Sequence, residues 1–153
     1  MSFRRVIFLS LITMFLCASV FAQSDDEMTI FNLVNNERIK ARLRPLVWDD
    51  HVAKVARSYS RKMAKEGFFE HSDRDGKTVI DRAEEADLRG WSKIGENLFL
   101  CDEDPMFTRL SVRGWMSSTS HRRNILSRDW TATGIGIARS RDDRIYITQV
   151  FIR

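Results

Sequence analysis

Cysteine and proline are scarce, with two of each in 153 residues. Two cysteines cannot build a disulfide-rich scaffold. So little proline, beside an apolar share of 43%, excludes collagen-like, low-complexity and disordered chains. Glycine is also sparse, seven in all, and no Walker-type or glycine-rich phosphate loop is present. There is no HExxH metal motif and no GxSxG nucleophile elbow. Nor does one sign of charge dominate: 25 basic residues stand against 21 acidic ones, a formal charge of +4. That surplus does not imply a nucleic-acid partner. What remains is one domain's worth of chain. It is long enough to bury roughly two thirds of its surface and to hold a core without staples.

One long apolar run exists, and it stands apart. Arg4 and Arg5 precede a stretch from Val6 to Phe21 with only Ser10, Thr13 and Ser19 as polar members. Val20-Phe21-Ala22 then offers small residues at the −3 and −1 positions of a cleavage site, and Gln23 to Asp26 return to polar character. Residues 1–22 therefore read as a secretory signal peptide, with 23–153 as the mature domain and a secreted or periplasmic destination. An uncleaved anchor is the other reading, but about 17 residues is near the lower limit for crossing a bilayer. Lipid attachment at Cys17 is disfavoured by the bulk of Leu16. Cleavage removes two Arg, no acid and Cys17, leaving 131 residues with 23 basic against 21 acidic. Cys101 then has no intramolecular partner, even in an oxidising compartment. No stable membrane span and no nucleic acid are expected for that mature chain.

The mature sequence shows no linker or repeat. Ile30, Leu33, Val34 and Ile39 predict an amphipathic helix over 27–42, closed by Pro45. Asp49 reads as the N-cap of a second helix, with Val52, Val55, Ala56, Tyr59 and Met63 as its apolar stripe and Gly67 as its end. Its basic face (Lys54, Arg57, Arg61, Lys62, Lys65) reads as solvated rather than as a site for an anionic surface. A third helix is expected over 78–88, with Val79, Ile80, Ala83 and Leu88 inward. A strand is expected over 93–101, a helix over 104–117 with Pro105 in its first turn, and a short helical piece from Ser120 to Leu126. Two strands follow, 133–138 and 144–151, joined by a turn at 140–143. Helices first and antiparallel strands last make the class α+β, with helices packed on a small antiparallel sheet.

Three histidines are present. His51 falls in the first turn of the second helix and is assigned no role. His71 and His121 sit in loop or cap contexts, where functional groups concentrate. Glu96 lies within an otherwise apolar strand, a costly place for a carboxylate unless a cation or hydrogen-bond donors meet it. Two imidazoles and a carboxylate suit a divalent metal such as Zn2+, with the acid as ligand, orienting partner or base. A buried polar network holding loops onto the sheet is the competing reading. Cys101 ends the run Leu98-Phe99-Leu100 and reads as a small buried hydrophobe, not an activated thiolate.

Seven blocks in order then match a known pattern. They are Asn36-Glu37-Arg38 with Pro45-Leu46-Val47-Trp48-Asp49; Ala53 and Ala56 to Met63 with Gly67-Phe68-Phe69-Glu70-His71; Gly76 with Asp81-Arg82; Gly95-Glu96-Asn97-Leu98; Trp115-Met116-x-Ser118; His121-Arg122-x-Asn124-Ile125-Leu126; and Gly134-Ile135-Gly136 with Tyr146-x-Thr148-Gln149-Val150-Phe151. The chain resembles the CAP superfamily, also called SCP/TAPS: cysteine-rich secretory proteins, antigen 5 and plant pathogenesis-related proteins. It is most similar to the bacterial secreted branch. The resemblance implies a three-layer α-β-α sandwich with a cleft. In eukaryotic members that cleft holds two His and two Glu and can bind zinc or another divalent cation. His71, Glu96 and His121 match three of these, and the second Glu falls on Ser118. Ser120 replaces the usual Gly before the histidine, Tyr59 stands where many bacterial members have His, and Arg42 takes a helix-end position often held by Gly. Family members have been linked to sterol and lipid binding, to protein interaction and to proteolysis. The resemblance therefore implies an extracytoplasmic binding module for a metal, lipid, sterol, peptide or cell-wall ligand. The alternative is a metal-dependent or acid–base hydrolase acting on peptide or cell-wall material with Glu96 as its base.

Overall fold

The second predicted helix is bounded as its sequence demands. The Asp49 carboxylate accepts from the backbone N–H groups of His51 (2.8 Å) and Val52 (3.1 Å) and starts α2, Asp50–Glu66. Gly67 ends it at φ 67°, donating its N–H to Met63 O. All five stripe residues are buried. These features come from a computed structural model, which describes residues 25–153. The predicted signal segment, 1–22, lies outside the described residues.

The remaining elements are α1 (Asp25–Lys40), β1 (Val47–Trp48), α3 (Val79–Glu85), β2 (Ile94–Asp102), α4 (Phe107–Ser117), α5 (Thr119–Ile125), β3 (Ala132–Arg139) and β4 (Arg144–Ile152). The strands form one sheet in the order β1-β3-β4-β2. β2, β4 and β3 are antiparallel neighbours, but β1 runs parallel to β3, so the sheet is mixed rather than purely antiparallel. Two residues are too few to leave a period-2 signal, and β1 is held by backbone bonds from Val47 to Thr131 and from Asp49 to Thr133.

Side chains alternate across the sheet. Ile135, Ile147 and Phe151 pack with Ile30 and Val34 of α1, Val112 and Trp115 of α4 and Ile125 of α5. Val150 and Ile152 face the other way, onto Val52, Val55 and Ala56 of α2 and Ala83 of α3. The expected three-layer sandwich is what forms. An ion pair joins the two helical layers directly: Arg57 of α2 meets Glu27 of α1 at 2.6 Å, with both side chains nearly buried.

Several boundaries shift. α1 begins and ends two residues before the expected 27–42, with Asp25, Asp26 and Glu27 favourably placed in its first turn. It stops in a Schellman motif: Leu43 N–H bonds Arg38 O and Arg42 N–H bonds Ile39 O. Arg42 therefore takes the left-handed position at φ 59°. α3 stops in the same way at Asp87 (φ 55°), short of the expected Leu88. In so short a helix Val79 and Ala83 face the sheet and Ile80, 100° round, is 47% exposed rather than inward. Pro105 lies in the turn before α4, where the Asp104 carboxylate accepts from Met106 N–H. The Arg42 geometry carries a prediction. Arg42→Gly removes the left-handed penalty and is expected to raise stability by about 0.5–1 kcal/mol, read as an upward shift of the urea midpoint.

Candidate functional site

β2 is the edge strand opposite β1, and its free edge is closed by side chains. Trp115 Nε1 donates to Leu98 O (2.9 Å) and Asn124 Nδ2 donates to Glu96 O (3.1 Å). Asn124 also donates to Asn97 Oδ1, and Asn97 Nδ2 donates to His121 O (3.2 Å). These bonds fasten α5 to the strand and set His121 at its margin. From the other layer, the segment after Gly67 brings in His71, held by Tyr59 donating from its hydroxyl to Glu70 O (2.5 Å). The imidazoles of His71 and His121 meet across the sheet edge with ring centres 6.5 Å apart.

Glu96 lies beneath them, its side chain 3% exposed. One carboxylate oxygen accepts from His71 Nδ1 at 2.8 Å and the other from Arg82 Nη2 at 2.7 Å. A carboxylate paired with a guanidinium is ionised and can only accept, so His71 Nδ1 is the donor, and in the neutral ring the lone pair is on Nε2, the nitrogen turned away from Glu96. Arg82 is locked in turn: it donates to Lys77 O and His71 O, and its guanidinium carbon lies 3.3 Å from the Tyr59 ring centre. Burial, with added push from Glu96 and Asp73, drives the Tyr59 hydroxyl up to about 12, against the pull of Arg82. Desolvation and the neighbouring His71 hold His121 below the ordinary 6.5.

All three sequence-predicted residues thus come together, and the cation demanded by a carboxylate in an apolar strand is Arg82. The roles of Arg82, Asn97 and Asn124 were missed. The signal for Arg82 was its place three residues after Val79, on the inward side of α3. His51 lies apart and exposed. Cys101 is half-buried, and burial with Asp104 and Asp102 pushes its thiol up, away from an activated thiolate.

The donor set decides what a cation would find. Among the described residues, no three His, Cys, Asp or Glu side chains are grouped to hold a metal ion. Glu96 sits behind His71, on the far side of the ring from Nε2, with both oxygens already accepting. Two imidazoles on one tetrahedral zinc would bring their ring centres to about 5 Å, so this pair stands open by more than an ångström. As they stand, these residues do not fit a closed structural metal centre. Beside the site, a cavity of about 330 Å3 is lined by Lys54, Tyr59, Lys62, Asp73, Lys77 and Arg82, among others. Lys62 is paired with the buried Asp73 at 2.6 Å, a contact that with two backbone N–H groups lowers the Asp73 carboxyl to about 2.

The family model described as the cysteine-rich secretory protein family, CAP, matches residues 31–151. The membrane protein YlbC of Bacillus subtilis is 34% identical over 131 residues, which is 86% of this chain and 35% of that protein. YkwD of the same organism is 31% identical over 114 residues, 74% of this chain and 43% of its own length. The chain thus spans less than half of either relative. Among solved structures, an extracellular protein of Bacillus anthracis containing an SCP domain superposes with a TM-score of 0.73 at 31% identity, covering 84% of this chain and 40% of that one. An outer surface protein of Borrelia burgdorferi shares the fold, with a TM-score of 0.76 at 22% identity over 85% of this chain and 93% of its own.

Proposed function

The chain belongs to the cysteine-rich secretory protein (CAP) family, and on that premise we propose that it is an extracytoplasmic binding module. Its cleft at the β2 edge receives a peptide or cell-wall peptide segment, with His71 and His121 as the contact groups. The observation that carries this reading is the pair of imidazoles beside the β2 edge, one of them locked in orientation by the buried Glu96–Arg82 pair. The charged lining of the adjoining cavity favours a polar ligand over a lipid or sterol chain. The hydrolase reading needs a base with a free oxygen toward the cleft, and Glu96 offers none. A divalent cation, when bound, would supply positive charge that polarises a ligand oxygen; His71 and His121 are the residues to hold it. Among the described residues no helix is long and apolar enough to cross a membrane.

The test is a pair of titrations, with soluble muropeptides and with zinc chloride, followed by NMR at the histidine side chains. Saturable shifts at His71 and His121, lost in the double Ala variant, are expected. No shift at either histidine with any titrant would reject the site. Zinc affinity measured by calorimetry should fall as pH drops, because protonation removes the imidazole lone pairs. His121, held below 6.5, keeps its lone pair to lower pH than a free histidine. Folding stability shifts in the same sense. The unfolded chain binds the His121 proton first, so this contribution is present above 6.5 and lost as pH falls toward the lower folded value. Affinity that stays flat from pH 8 to 5 would contradict histidine ligation.

A further inference from the structure

A second cavity, about 540 Å3, opens at the other end of the sheet between the α1–β1 loop and the α5–β3 loop. Four arginines line it: Arg38, Arg42, Arg44 and Arg128. Among the described residues none of the four has an ion-pair partner. The acids adjacent in sequence are engaged by other cations: Glu37 by Lys40 at 2.7 Å, and Asp129 by Lys93 at 2.6 Å and by Arg153. No Asp or Glu contributes to the lining. Arg38 forms part of the cavity while being only 1% exposed, and its guanidinium is met by neutral carbonyls alone: Ile125 O at 2.6 Å, Ser127 O at 2.8 Å and Arg44 O at 3.0 Å. Trp130 also lines the cavity, and its indole N–H is buried with no acceptor.

Four like charges around one space repel, and a buried cation without a counter-charge is costly. Surface arginines serving only solubility have no reason to converge on a cavity that carries no acid. Guanidinium groups match the oxygens of a phosphate in paired hydrogen bonds, and several together specify that group over a single carboxylate. We propose that this cavity is an anion site for the phosphate group of a ligand, distinct from the histidine cleft. Arg42, Arg44 and Arg128 close on the phosphate from the rim, and Arg38 supplies fixed positive potential from below. The left-handed turn at Arg42 then has a use. A glycine would suit that backbone better, and the arginine spends some stability to place a guanidinium over the cavity.

Inorganic phosphate is the probe, titrated at constant ionic strength against chloride and followed through arginine Nε–H and tryptophan indole resonances. Saturable shifts at Arg42, Arg44, Arg128 and Trp130 are expected. Arg42→Gln/Arg128→Gln should weaken them by about tenfold or more. Both side chains are exposed, so that variant should fold. A control, Arg61→Gln/Arg141→Gln, lowers the same net charge elsewhere and should leave binding unchanged. Sedimentation with phosphatidylglycerol vesicles, against phosphatidylcholine, identifies the source. Binding lost in the double variant assigns a lipid headgroup, whereas phosphate binding without vesicle binding assigns a soluble phosphorylated ligand. Neither phosphate nor vesicle binding, or equal loss in the control variant, would overturn the proposal.

Discussion

Gly134→Ala and Gly136→Ala are each expected to leave the protein largely unfolded at 37 °C. Where α2 crosses Gly134 and Gly136 of β3, no side chain of the strand separates the two backbones. A Cβ at Gly134 would fall 2.1 Å from the backbone nitrogen of Ala53, and one at Gly136 would fall 2.1 Å from that of Arg57. Neither glycine has a positive φ, so the requirement is space and not backbone conformation. Ser60 sits in the same contact, donating its one hydroxyl proton to Gly136 O (2.9 Å) and pairing with the Thr148 hydroxyl at 2.8 Å. Overpacking a core against side chains costs about 1–3 kcal/mol because rotamers yield. Here a helix backbone must lift instead, and seven buried residues of α2 lift with it. The expected cost is therefore on the order of 4 kcal/mol or more, against a total of about 5–15 kcal/mol for an ordinary domain. Urea denaturation followed by circular dichroism reads it directly. Gly114→Ala is the internal comparison: its Cβ would meet the Phe99 ring edge at 2.7 Å, and a ring can turn where a helix cannot. A Gly134→Ala midpoint as high as that of Gly114→Ala would mean that α2 slides on the sheet.

That contact was legible only in part. Gly134-Ile135-Gly136 stood out as a closing-strand pattern, but nothing local shows which helix comes down on it. Signals that act within a few residues read well. The Asp49 cap and Gly67 stop of α2, the apolar stripe from Val52 to Met63 and the β3–β4 hairpin are where their residues place them. Of the left-handed stops, Arg42 was marked only by standing where the family often has Gly, and Asp87, a residue type that tolerates positive φ, fell inside the expected third helix. β1 was invisible since its partner strand lies more than eighty residues away and only two residues pair. Part of the site could be anticipated from cost alone. A carboxylate in an apolar strand requires a partner, and Glu96 has two. That one of them is Arg82, stacked on Tyr59, depends on α3 docking beside β2, which no local pattern encodes.

Glu96→Ala is expected to be the most damaging change at the cleft, costing about 3–5 kcal/mol, because it leaves the Arg82 guanidinium buried without its carboxylate. The two side chains are 3% and 9% exposed, so solvent offers little compensation. Glu96→Gln keeps the volume but turns an amide toward Arg82 or His71, both donors, and should lose most of the same stability. The pair should not be read as a net source of stability, however. Replacing both members by apolar residues of similar volume is often nearly neutral, so Arg82→Met/Glu96→Leu is expected to recover much of what either single change loses. A double-mutant cycle in urea should return a coupling of about 2 kcal/mol or more; Glu96→Gln within about 0.5 kcal/mol of the parent would refute a buried pair. The same variants separate stability from binding. In the apolar double variant the fold is restored but His71 has no acceptor at Nδ1, so the tautomer that presents Nε2 to the cleft is no longer selected. Zinc affinity should then stay about 10–100-fold below the parent despite recovered stability. Zinc affinity returning together with stability would mean that His71 is oriented by its backbone and Glu96 serves the fold alone.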